Sequence, residues 1–155
     1  MKTIVDARQI YRDSAVRGAT PIELVIVLYD SAIEDMRRAM TAMQQSDVEV
    51  RARQIGHALM VLQQLQGTLD FEHGGEAARQ FEQFYNLMRA KLLEAQMRGS
   101  LELMQKQIRY MSEVRDCWTQ AQRILQPKTA VSAVSAAPAA GAIEGEGGPR
   151  SQWSA

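Results

Sequence analysis

The chain has 155 residues, 46% of them apolar and 23% charged, with 18 basic and 18 acidic side chains. These values suit one small globular domain with an added tail, and the zero net charge excludes nucleic acid as the main partner, because phosphate binding takes a basic excess. The single cysteine, Cys117, excludes an internal disulfide and a multi-cysteine metal site, and reads as a small core or boundary residue.

The N-terminus, Met1 to Arg8, lacks the apolar core of a signal peptide, and no run approaches the ~20 apolar residues of a membrane span. A cytoplasmic protein is expected, without stable membrane insertion. Ala19 to Tyr29 then opens a capped helix. Thr20 suits the N-cap, Pro21 the first helical position, and Glu23 the third position of a capping box. Ile22, Val25, Ile26, Tyr29, Ile33, Met36, Met40 and Met43 recur at three- and four-residue steps and predict one buried face. Leu24, Val27 and Leu28 point elsewhere, so the first turns are apolar nearly all round.

Gln44 to Asp47 reads as a turn, with Ser46 or Asp47 capping a second helix. That helix carries Ile55, Leu59, Leu62, Leu65 and Leu69 and ends near Asp70. His73-Gly74-Gly75 is a stop signal. A third helix over 76–97 presents Ala77, Phe81, Phe84, Tyr85, Met88, Leu92 and Ala95. Gly99 then suits a C-cap and Ser100 an N-cap. The fourth helix repeats Leu101, Met104, Ile108, Met111, Trp118, Ala121 and Leu125, with Val114 beside Arg115. No proline lies between Ile22 and Gln126, and proline breaks helices. Short turns between long helices predict an all-α, antiparallel up-down four-helix bundle over 19–126. From Pro127 to Ala155 the chain is rich in Ala, Gly, Ser and Pro and is expected to be a disordered tail, with Trp153 its one large apolar group.

Catalytic patterns are missing. There is no phosphate-binding glycine loop and no nucleophile elbow, and neither His57 nor His73 follows a Glu-x-x-His pattern. His73 reads as a solvated or capping residue, His57 as a helix-surface or boundary residue, and Asp30, Glu34 and Asp35 as a solvated face. No enzyme, metal or cofactor is expected. What remains is apolar surplus: Leu24 and Leu28; Met60 and Val61; Leu87, Leu93 and Met97; Leu103, Tyr110, Val114, Cys117 and Ile124 lie off the main stripes. A four-helix bundle needs one stripe per helix, so a second set implies a fifth packing element or a groove for a partner helix. Methionine, abundant in these helices, suits adaptable surfaces as well as cores. A self-associating regulatory or structural bundle is the alternative use of such surfaces.

Five motifs in order resemble the flagellar secretion chaperone family FliS. They are Tyr11 followed by Ala19-Thr20-Pro21-Ile22-Glu23-Leu24 and Leu28-Tyr29-Asp30-Ser31-Ala32-Ile33; Leu69-Asp70 with Gly74-Gly75-Glu76-Ala77-Ala78; Phe84-Tyr85-Asn86-Leu87-Met88; Leu92-Leu93-Glu94-Ala95-Gln96; and Val114-Arg115-Asp116-Cys117-Trp118. Ser31 stands where the family usually has glycine, and Gln96 where it has asparagine. The resemblance implies a cytoplasmic chaperone that binds the C-terminal helical segment of flagellin. It would block premature polymerisation and keep flagellin competent for the flagellar type III export apparatus. An anti-sigma factor or a co-chaperone is a further class of partner, and the free chain is expected to be a monomer or weak dimer. It also implies that the segment 1–18, with Ile4, Val5, Ile10 and Tyr11, covers part of the groove or packs as a fixed fifth helix. The groove residues expected on this reading are Ile10, Tyr11, Leu24, Leu28, Met60, Val61, Leu87, Leu103 and Tyr110.

Overall fold

The computed structural model describes Gly18 and residues 20–125. These form four α-helices and no strand: α1 Pro21–Gln44, α2 Val48–Gly67, α3 Phe71–Arg98 and α4 Leu101–Leu125. The expectations for the N-terminal segment, for Ile10 and Tyr11 within it, and for the tail after Pro127 lie outside the described residues. By their contacts the residues fall into two units, Met1–Thr119 and Gln120–Ala155. The first holds the core; of the second, the described part is the helical end of α4.

Local chemistry sets the helix ends. Thr20 and Glu23 form the expected reciprocal cap: the Thr20 N–H donates to Glu23 Oε1 at 2.8 Å, and the Glu23 N–H to Thr20 Oγ1 at 3.2 Å. Replacing Thr20 with alanine should cost about 1 kcal/mol, read as a fall of several degrees in Tm. Asp47, rather than Ser46, caps α2, while Ser46 takes the left-handed turn conformation at φ 57°. Gly99 ends α3 at φ 61°, and the Ser100 hydroxyl accepts from Leu103 N–H to start α4.

The glycine stop lies inside α3 rather than ahead of it. Asp70 accepts from the N–H groups of Glu72 and His73 and so holds one helical turn, Phe71 to Gly74. Gly75 then breaks the regular backbone at φ 52°, ψ −123°, a conformation that favours glycine, and the helix resumes.

A three-four spacing runs through all four helices. Buried positions in α1 include Val25, Leu28, Ala32, Asp35, Ala39 and Ala42; in α2, Ile55, Ala58, Leu62 and Leu65; in α3, Ala78, Tyr85, Met88, Leu92 and Ala95; in α4, Met104, Gln107, Ile108 and Met111. This is the seam of helices that pack nearly parallel or antiparallel, side chains set into facing gaps. It corrects two expectations for the core. Leu28 belongs to the seam and is 0% exposed, and Ala78 rather than Ala77 is buried. A stripe drawn through the large residues alone missed the alanines, which mark where backbones come close.

Neighbouring helices run antiparallel. Asp35 pairs with His57, and these lie equally far from Ser46 on either side of the turn. Phe81 stacks on Trp118 at 5.3 Å, equally far from the Gly99–Ser100 turn. Backbones approach closely, with Cα atoms within 8 Å, between α1 and α2 and between α2 and α3. α4 docks through longer side chains: the Arg115 guanidinium clasps the Asp30 carboxylate with bonds of 2.7 and 3.2 Å, and Met104, Ile108 and Met111 enter the core.

Candidate functional site

A groove lies between α3 and α4, which make no close backbone approach of the kind seen between α1 and α2. Phe84, Leu87, Met88 and Lys91 on one helix face Leu103, Lys106, Gln107 and Tyr110 on the other across a groove of about 260 Å³. The floor is fixed by burial: Met88 is 1% exposed and Gln107 3%. Gln107 turns its amide back to the Leu103 carbonyl at 3.3 Å, so its polar end is satisfied within its own helix. The walls are open, with Leu87 58% and Tyr110 41% exposed. Lys91 ties to Glu94 at 3.2 Å, and the Arg109 guanidinium lies over the Tyr110 ring. An apolar floor with a basic rim can take an apolar face of a helix and the polar residues beside it.

A second apolar hollow, also about 260 Å³, lies where α1 begins. Pro21, Ile22 and Val25, the α2–α3 turn at Leu69 and Asp70, and Ala77, Phe81 and Trp118 line it. Beneath it runs an aromatic chain: Trp118 stacks on Phe81, Phe81 on Tyr85, and the Tyr29 and Tyr85 hydroxyls bond at 2.8 Å. Burial raises the ionisation of both phenols above the ordinary range, Tyr85 further because it faces Tyr29. A raised folded value means stability present below pH ~10, the unfolded phenol range, and lost as pH climbs above it. In an alkaline absorbance titration these two tyrosines should ionise with unfolding rather than before it.

The expected groove residues divide. Leu87, Leu103 and Tyr110 come together in the α3–α4 groove. Leu24 and Met60 are half-buried and line neither hollow. Leu28 and Val61 are 0% exposed core residues and so offer no surface to a partner: Leu28 lies on the seam itself and Val61 beside the seam position Leu62. Phe84, Met88 and Gln107, and the second hollow with Phe81 and Trp118, were not expected. A signal for the groove existed: 84, 87 and 91, and 103, 107 and 110, repeat the three-four step.

One polar expectation also needs correction. Asp35 is 4% exposed, not part of a solvated face, and His57 is its partner across the α1–α2 seam. His73 is exposed and pairs with the Asp70 carboxylate at 2.7 Å. Ligand atoms of Asp70, Glu72 and His73 lie within 4.8 Å of one another, and the N-cap bonds already account for that grouping. Among the described residues no helix is long and apolar enough to cross a membrane.

A family model described as Flagellar protein FliS matches residues 4–125. The chain is 29% identical over 108 residues to a flagellar secretion chaperone FliS of Vibrio cholerae, covering 70% of this chain and 79% of the relative. It is 29% identical over 113 residues to that of Salmonella typhimurium, covering 72% and 84%. To that of Bacillus subtilis it is 27% identical over 111 residues, covering 72% and 82%.

Proposed function

The chain belongs to the FliS family of flagellar secretion chaperones, and from that premise we propose that its bundle binds the C-terminal helical segment of flagellin in the cytoplasm. It holds that segment out of filament assembly and keeps it fit for the flagellar type III export apparatus. The family is one of chaperones, so the chain is not an enzyme.

The observation that carries this reading is the α3–α4 groove, where Leu87 and Tyr110 stand exposed over a buried apolar floor. Exposed aromatic and leucine side chains beside a packed floor are what an apolar helix face needs in order to dock. The mechanism is competition. Flagellin's terminal helices need one another in the filament, and a chaperone that buries their apolar face withholds that surface until export.

Mixing the purified chain with full-length flagellin should give a complex by size-exclusion chromatography with light scattering. Flagellin lacking its C-terminal helices should give none; undiminished binding would refute the reading. The same run on the chain alone reads self-association, the rival use of an open apolar groove.

A further inference from the structure

We propose that the buried Asp35–His57 pair is a proton-operated joint between α1 and α2, whose charge state sets how firmly these two helices hold together. The pair sits where apolar residues would be expected. Along α1, position 35 lies on the seam between Ala32 and Ala39, and the helices there approach closely. Side-chain exposure is 6% for Asp35 and 12% for His57. The Asp35 carboxylate meets His57 Nδ1, while His57 Nε2 is buried without a hydrogen-bond partner among the described residues.

Two polar side chains in this seam cannot contribute as apolar ones would. Taking both from water costs free energy that their mutual attraction only partly returns. Together they carry no net charge when they hold one proton between a carboxylate and an imidazolium, or between a carboxyl and a neutral imidazole. Losing that proton leaves a lone negative charge in the seam. The charged groups that act on Asp35 are His57 across the seam, and Arg38 and Glu34 on its own helix. Arg38 and Glu34 are exposed and already paired with each other at 3.1 Å; no charged group of α3 or α4 is among those that shift Asp35.

The direction of the pH effect follows. Burial raises the Asp35 carboxyl above the ordinary carboxylate range, outweighing the lowering by His57. A raised folded value means a contribution fully present below the unfolded carboxylate value and lost as pH rises through the folded one. The joint is therefore tighter at mildly acidic pH and looser at neutral and alkaline pH.

Urea unfolding of the full chain across roughly pH 4.5 to 8 tests this, in a range that brackets weakly acidic carboxyls and histidine. Asp35→Asn keeps the side chain's shape and removes its charge. The midpoint of the native chain should fall relative to that of Asp35→Asn as pH rises. The double variant Asp35→Leu/His57→Leu should unfold at a urea concentration higher by ~1 M at neutral pH, the order expected when a buried pair gives way to packed apolar residues. Parallel pH profiles for the native chain and Asp35→Asn would overturn the proposal, whether or not the double variant folds.

Discussion

Leu28→Asp is expected to unfold the bundle, although position 28 looks like surplus in the sequence. Leu28 is 0% exposed and packs in the core cluster with Val25, Tyr29 and Ala32. A carboxylate placed there has no designated partner, and an uncompensated buried charge costs several kcal/mol. Loss of the leucine packing adds about 3 kcal/mol, the usual scale for a large-to-small core change. The sum approaches the ~5–15 kcal/mol that holds a domain of this size together. Far-ultraviolet circular dichroism should show loss of helix at room temperature. Leu24→Asp, one turn earlier and half-buried, should keep its helical signal. If Leu28→Asp folds with native helicity, Leu28 is not the core residue described here.

Leu87→Asp combined with Tyr110→Asp should do the opposite, leaving the fold intact and removing the binding. Both side chains are exposed, 58% and 41%, so aspartate at either position meets water and costs the folded chain little. In the groove each stands over Phe84, Met88 and Leu103. Truncating a central apolar or aromatic contact commonly costs about 2 kcal/mol, so the pair should weaken flagellin binding by ~100-fold or more. Isothermal titration against a flagellin C-terminal segment reads the affinity, and thermal melts confirm the fold. Unchanged affinity with unchanged stability would move the binding surface away from this groove, toward the hollow beside Pro21 and Trp118.

These two positions show how far local pattern reaches. Leu28 and Leu87 are both leucines off the stripe drawn through large residues, and both were expected in the groove. One is core and the other surface. The difference lies in the alanines. Ala32, Ala39 and Ala42 on α1 and Ala58 on α2 are buried on helices whose backbones approach within 8 Å, and Leu28 keeps the same three-four step as the α1 alanines and so shares their face. Alanine carries too little apolar area to stand out in a periodicity reading, yet it decides which face packs. Asp35 and His57 escaped for a similar reason: they lie far apart in the chain, and only the crossing of α1 and α2 makes them partners.

By itself, the sequence determined the number of helices, most of their caps but not the start of α3, and the family, because these depend on short-range chemistry. Thr20 and Glu23 cap each other, Gly99 takes the left-handed turn, and the absence of proline between Ile22 and Gln126 leaves the helices unbroken. The tertiary structure alone decided which apolar surplus is buried and which is open. That choice depends on the distance between helices, and the distance is set by the side chains of two helices at once. Small residues are buried where α1 and α2 approach closely, whereas α3 and α4 make no such close approach and leave between them the groove lined by Phe84, Met88 and Leu103.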